Sequence, residues 1–359
     1  MMRIELLPAR CGDCILVEYG PASARVLIDT GFVRTFEEAI APRLAQIDAT
    51  GEPVALELLV VTHIDRDHIR GAIPLLQQSP AKASPAEVWF NGKKHLADEL
   101  GVQDGTVFAA LLEERFADRW NKSSPFAGKA VKVPEHGALP TVTLPGGATI
   151  TLLSPYQDAL TKLDAKWNDV LGSVDWDEAK PVIARDPKDD TLGQRDPVSD
   201  VSAKAIRKLA AKAVYEDRAE ANGSSIAFLF EYDGNRVLFT GDAHPSVLLR
   251  SLERYSPGKK VELAAFKLSH HGSATNLSDA LLEKIDCTNW LVSTDGSSFG
   301  HPHGEAIARL LVREGAKTLY FNAATEYTTV WNNDEAKGKL KYRTVYPERT
   351  GAPCVLELK

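Results

Sequence analysis

The chain has 359 residues, 44% of them hydrophobic and 25% charged, which excludes a disordered, collagen-like or coiled-coil protein. Basic residues number 42 and acidic residues 49, so the formal net charge of −7 excludes a cationic nucleic-acid coat protein. It does not exclude a nuclease, because a metal ion or a local basic patch can hold phosphate. No apolar run reaches the roughly 18 residues of a membrane span, and Arg3, Glu5, Arg10 and Asp13 interrupt any signal-peptide core. The expectation is a cytoplasmic protein with no membrane segment.

Strand patterns open the chain at residues 4–7, 14–19 and 25–29, with Gly20-Pro21 as the turn between the last two. Cys11 and Cys14 stand at the edge of the second strand. With Cys287 and Cys354 isolated, a zinc ribbon lacks its second pair, and the cysteines read as structural. A helix is expected over 36–47, a buried strand over 56–62, a helix over 71–78, a strand over 87–91 and an amphipathic helix over 107–120. Residues 155–221 form an expected insertion. Within it, 180–202 is polar and punctuated by proline, as in Arg185-Asp186-Pro187 and Arg195-Asp196-Pro197, and suits a loop or lid. A helix over 203–215 carries Ile206, Leu209, Ala210, Ala213 and Val214 on one face.

The chain also repeats itself. Ile15-Leu16-Val17-Glu18-Tyr19 with Arg25-Val26-Leu27-Ile28 resembles Phe228-Leu229-Phe230-Glu231-Tyr232 with Arg236-Val237-Leu238-Phe239. Each copy reads as a hairpin that delivers an aspartate, Asp29 or Asp242, and Asp233-Gly234 is hairpin-turn chemistry. Two sheets related by approximate two-fold symmetry follow. Beyond the second copy, helical stripes (Leu248, Leu252 and Tyr255; Leu277, Leu281 and Ile285; Ile307, Leu310 and Leu311) alternate with strand-like runs at 263–268, 290–293 and 318–321. A strand is expected over 354–358.

Chemistry concentrates at the ends of these strands. Thr62-His63-Ile64-Asp65-Arg66-Asp67-His68 places four metal-competent side chains within six residues after a buried strand, where uncompensated charge is costly and a divalent cation would compensate it. Leu238-Phe239-Thr240-Gly241-Asp242, Ser269-His270-His271-Gly272-Ser273 and Gly300-His301-Pro302-His303 follow. Six of the nine histidines lie in these loops; His95, His136 and His244 have no such context and read as structural or surface residues.

This ordered series resembles the metallo-β-lactamase superfamily. Within it the chain is most similar to the C-terminal hydrolase domain of the DNA-uptake protein ComEC and its stand-alone relatives. The carrying stretches are Gly12-Asp13-Cys14-Ile15-Leu16-Val17, Leu27-Ile28-Asp29-Thr30-Gly31, the 62–71 cluster, Asn222-Gly223-Ser224-Ser225, Phe239-Thr240-Gly241-Asp242-Ala243, Leu268-Ser269-His270-His271-Gly272-Ser273 and Gly300-His301-Pro302-His303. The resemblance implies an α/β fold, the αββα metallo-β-lactamase sandwich, as one domain over 1–359 with the helical and loop insertion at about 155–221.

The resemblance also implies one or two divalent ions, manganese or zinc. His63 and Asp65 would serve the first, Asp67 and His68 the second, with Asp242 bridging. Of the double histidine, His271 is taken as ligand and His270 as substrate-facing. Asp67 would hold the nucleophilic water, and His270 or His303 would protonate the leaving group. His301 competes with His303 as ligand, proton donor or helix cap; Asp29, Asn222 and Ser273 stand behind the ligands or beside the substrate. Asp65 replaces the second histidine of the usual cluster, and Asn222 occupies the stretch of the usual third-motif histidine. A set richer in oxygen is harder and shifts preference from zinc toward manganese.

A phosphodiester substrate is implied, with DNA as a candidate. Basic residues beside aromatics at 89–95 and 115–122 would suit phosphate, and overall acidity favours a small phosphodiester over long duplex. The competing expectation is a metal-bearing partner subunit of a bacterial multi-protein system, in phage defence or uptake.

Overall fold

The computed structural model describes residues 1–48, 50–78, 81–96, 107–172 and 195–359. Its strands are β1 (Met2–Leu6), β2 (Ile15–Tyr19), β3 (Ala24–Ile28), β4 (Val54–Leu56), β5 (Leu58–Val60), β6 (Ala83–Pro85), β7 (Val88–Trp89), β8 (Thr141–Thr143), β9 (Thr149–Ser154), β10 (Ala227–Tyr232), β11 (Asn235–Phe239), β12 (Val261–Lys267), β13 (Ile285–Val292), β14 (Lys317–Phe321), β15 (Tyr342–Val345) and β16 (Cys354–Leu358). One sheet runs β16-β1-β2-β3-β5-β7 and the other β15-β14-β13-β12-β11-β10-β9-β8; β4 and β6 pair separately.

The repeated hairpins are register-matched. Glu18 faces Arg25 across β2 and β3, and Glu231 faces Arg236 across β10 and β11, with an ion pair in each copy. In both sheets the antiparallel hairpin continues into parallel strands, β5 after β3 and β12 after β11. The loops at the ends of these four strands therefore converge on one edge, where open α/β sheets carry their sites.

Period-two alternation sorts the side chains into three apolar layers. Val17, Val26, Ile28 and Val60 meet Ile150, Phe228, Val237 and Phe239 between the sheets. Leu16, Leu27 and Leu59, on the opposite face, pack under Phe36, Ile40, Leu75 and Phe108. Leu229, Leu238 and Phe266 pack under Leu248, Leu252, Leu281 and Ile307. Helix, sheet, sheet and helix thus follow in order. No helix among the described residues is long and apolar enough to cross a membrane.

Several boundaries differ from expectation. The first helical run begins at Val33 and includes a π-helical turn, Phe36–Ile40. The helix expected over 107–120 is Val107–Arg115, because Trp120 bridges to Val88 and its indole N–H donates to the Phe90 carbonyl at 2.8 Å. The helix expected over 203–215 stops at Ala210, and the chain beyond it leads to Asp217, whose N–H donates to the Thr275 carbonyl at 3.2 Å. Of the polar stretch, 180–194 lies outside the described residues. Strands β8, β9 and β15 fell in stretches read as neither strand nor helix. Gln157–Gly172 is helical.

Candidate metal centre

Asp29 organises the centre from behind. It lies one residue past β3 in the left-handed region (φ 54°) and is fully buried. Its carboxylate accepts from the Thr62 N–H and the Thr62 hydroxyl, each at 2.8 Å, and from His68 Nδ1 at 2.8 Å. The Thr62 hydroxyl, its proton committed to Asp29, accepts from His63 Nδ1 at 3.0 Å. One carboxylate thereby orients two imidazoles, and both present Nε2 lone pairs forward.

Asp13 does the same for His271. The His271 Nδ1 lies 3.0 Å from the Ser293 carbonyl, an acceptor only, and 3.2 Å from Asp13 Oδ1. Asp13 Oδ2 accepts from Lys267 Nζ at 2.6 Å, and both side chains are buried. Burial opposes ionisation of Asp13, but Lys267 and then His271 hold its carboxyl well below the usual carboxylate range. For His270, Nδ1 faces Asn276 Oδ1 at 3.1 Å, and the Asn276 amide is fixed by donation to Asp217 and to the Asp242 carbonyl, both at 3.1 Å.

The front atoms converge on Asp242, which is buried. Its Oδ2 lies 3.8 Å from His63 Nε2, 3.7 Å from His270 Nε2 and 3.8 Å from His271 Nε2; its Oδ1 lies 3.4 Å from His68 Nε2. Asp67 Oδ2 is 3.1 Å from His271 Nε2, and Asp65 Oδ2 is 3.5 Å from His63 Nε2. Two groups, Asp13 with His68 and His271, and His63 with His68 and Asp242, have ligand atoms within 4.8 Å of one another.

A divalent cation fits this donor set. His68 Nε2 and His271 Nε2 face each other at 3.3 Å, and each presents a lone pair, because its Nδ1 carries the proton. His63 Nε2 and Asp242 Oδ1 are buried with no hydrogen-bond partner among the described residues. Such orphaned groups are rare without a ligand. The carboxylates also draw positive charge inward. Burial alone would lower His271, yet Asp13 and Asp242 push it up to about 10; His68 is likewise raised against burial by Asp242, Asp29 and Asp67.

The double histidine is held under backbone strain. His270 (φ 49°, ψ 52°) and His271 (φ 54°, ψ 21°) are consecutive left-handed residues, each at a cost of about 1 kcal/mol. Their rings diverge, with planes at 73° and centroids 5.9 Å apart.

The remaining expected site residues separate. His301 is buried, with its ring 5.1 Å from that of His270, and burial together with the His270 and His303 charges keeps it well below the ordinary histidine range. His303 is not available as proton donor or ligand, contrary to expectation: its Nδ1 accepts from the Ala274 N–H at 3.1 Å and its Nε2 donates to the Phe299 carbonyl at 3.2 Å. Burial, then Arg195, lowers it to about 4. The Ser273 hydroxyl bonds to Thr275 Oγ1 at 2.8 Å. Asn222 donates to Asp217 at 2.6 Å, 3.4 Å from His270 Nδ1, behind the ligands.

Three residues that stand directly behind the ligands were not singled out from sequence: Asp13, Lys267 and Asp217. Gly12-Asp13 lay within a resembling stretch, which was the available signal for Asp13; Lys267 and Asp217 had none.

Residues 9–152 match the family model described as Metallo-beta-lactamase superfamily. The search of curated proteins found no match. Among solved structures the chain is similar to the metallo-beta-lactamase fold protein YhfI from Bacillus subtilis (12% identity, TM-score 0.42, covering 99% of this chain and 100% of that one). It is similar to Zn(2+)-bound PqqB from Methylobacterium extorquens (12% identity, TM-score 0.44, all of both chains). It is also similar to CmlA, a diiron beta-hydroxylase from Streptomyces venezuelae (10% identity, TM-score 0.42), covering 99% of this chain but 54% of that one. The match over residues 9–152 contains the 63–68 cluster, and the helix, sheet, sheet and helix layers are those of the metallo-β-lactamase fold.

Proposed function

We propose that this protein is a metal-dependent hydrolase acting on a phosphodiester, by analogy with the ComEC-like group that its motifs resemble. The observation that carries the hydrolase reading is the convergence of four imidazole Nε2 atoms on the Asp242 carboxylate, with Asp65 and Asp67 beside them. A divalent ion held by these residues supplies Lewis acidity and an acidified water at neutral pH.

The chain's own groups do the rest. Asp67 is one-quarter exposed at its side chain, so its carboxylate can accept a proton from water at the mouth of the centre. His301, neutral and adjacent to His270, can donate one hydrogen bond to a leaving group. Phe299 offers an exposed ring 5.8 Å from His301, tilted by 30°, on which a base could stack. Beyond His303 lies a cavity of about 490 Å³ whose lining includes Arg195, Lys208 and Lys212, cations suited to phosphate, together with Asp196 and Glu305. These features support a phosphodiester with a single-stranded nucleic acid as the candidate; the carboxylate of Asp65 in place of a histidine supports manganese over zinc.

The test is cleavage of single-stranded DNA by manganese-loaded wild type and Asp67→Asn, side by side. The expected result is cleavage by wild type and loss of at least 100-fold in the variant, since removing one positioned acid–base group costs about 10²–10⁴. Equal cleavage by both would refute the nuclease assignment. No cleavage by either, with a partner retained on purification, would replace it with the metal-bearing subunit.

A further inference from the structure

We propose that the two adjacent histidines are ligands to two different ions: His271 on the side of Asp67 and His68, and His270 on the side of His63 and Asp65, with Asp242 between them. The inference rests on the reading of this cluster as a metal centre, and it reassigns His270, which the sequence placed against substrate.

Three observations carry it. First, His270 aims the same atom as the other three imidazoles: its Nε2 lies 3.7 Å from Asp242 Oδ2, against 3.8 Å for His63 and 3.8 Å for His271. Second, its opposite nitrogen is restrained as a ligand's would be. Asn276 Oδ1 takes the Nδ1 proton at 3.1 Å, and the Asp217 carboxylate stands 3.5 Å away. A carboxylate or carbonyl on the far nitrogen is the usual companion of a metal-bound imidazole. Third, two consecutive left-handed non-glycine residues carry rings splayed at 73°, strain of the kind that clusters at functional sites.

Asn222 donates its amide N–H to Asp217, and the ring of His301 lies beside those of His270 and His271, with centroids 5.1 and 6.1 Å away. Asp217 is then a positioning residue. It accepts from Asn222 at 2.6 Å and Asn276 at 3.1 Å, so it fixes both amides around His270 without touching the centre.

The experiment measures metal content rather than turnover. The full-length protein is loaded with manganese, dialysed, and read by elemental analysis and by electron paramagnetic resonance. Wild type should hold two equivalents with a spin-coupled signal. His270→Ala should hold one, with a six-line mononuclear signal, and His271→Ala should lose the other. His270→Asn serves if the alanine variant fails to fold. Asp217→Asn should retain both ions and bind the weaker one about 10- to 100-fold less tightly. Two equivalents with a coupled signal in His270→Ala would overturn the assignment, and so would a single equivalent in wild type. Wild type that holds two ions yet cleaves no phosphodiester would sink the proposed substrate and leave this assignment intact.

Discussion

Gly12 sits hard against the backbone of Asp67, and Gly12→Ala exploits this. A Cβ on Gly12 would lie 2.1 Å from the Asp67 carbonyl oxygen and 2.9 Å from its carbonyl carbon and its Cβ. Backbone atoms cannot swing aside, and the same carbonyl already accepts from the Asp13 N–H at 3.1 Å. Ordinary contact begins at 3.4 Å, so Gly12 and Asp67 must part by about 1.3 Å in a close-packed interior. Overpacking of this kind costs about 1–3 kcal/mol, and a 1 Å misplacement of an active group costs about 10²-fold in rate. Because Asp13 moves with Gly12, His271 loses its orientation at the same time. The assay is denaturant unfolding of the metal-free protein with manganese titration of the same samples. Gly338→Ala is the control: it lies in the helix Asp334–Leu340 with nothing within 4 Å of the added carbon, and should gain about 0.5–1 kcal/mol. Unchanged stability and unchanged metal affinity in Gly12→Ala would refute the steric reasoning.

Lys267→Met leaves Asp13 as a buried charge facing only His271, and should destabilise by about 3–5 kcal/mol, read from the denaturation midpoint; a loss below 1 kcal/mol would show that the pair is dispensable. His95 is held at about 4 by burial and then Lys94, below its unfolded value near 6.5. Its folded form resists protonation, so its contribution is fully present above pH 6.5 and is lost as pH falls toward 4. Between pH 7 and pH 5 the loss is roughly 2 kcal/mol. His95→Gln should flatten that part of the stability profile, and identical pH slopes in both proteins would exclude His95. Chelation should lower the melting temperature, and metal restored at 1,000 times its Kd should return about 4 kcal/mol; superimposable melts with and without chelator would argue against a bound ion. Asp29→Asn leaves His68 without its orienting carboxylate and should weaken manganese binding about 10- to 100-fold by titration, whereas a wild-type isotherm would assign Asp29 to folding alone.

What could be read from sequence followed from local pattern. The His63–His68 cluster, Asp242 and the double histidine each follow a strand whose alternation is strong, so their shared edge could be inferred. The hairpin repeat predicted two sheets because Glu18/Arg25 and Glu231/Arg236 recur at matched positions. Strands β8 and β9 were missed although Pro145-Gly146-Gly147 separates them, because a three-residue strand such as Thr141–Thr143 carries too little alternation to register. Lys267 reads as an ordinary charged residue ending a strand; only burial against Asp13, which lies 254 positions earlier, gives it a role. Asp217 was hidden for the same reason. It lies two residues past a segment with helical pattern, and its N–H is held by the Thr275 carbonyl. His303 shows the converse: its motif suggests chemistry, and its ring is spent on two backbone groups.

The pairing of β1 with β16 has a consequence for how the protein is made. Met2–Leu6 is translated about 350 residues before one of its two flanking strands, Cys354–Leu358. During that interval β1 presents an unpaired row of backbone donors and acceptors, backed by Met2, Ile4 and Leu6. An open apolar edge of this kind is a template for mispairing between nascent chains. Arg3 and Glu5, which alternate with those residues, set charge along the waiting edge and oppose flat stacking before β16 arrives. The candidate metal centre lies at the ends of strands from both halves, so an ion would be captured only after this late closure.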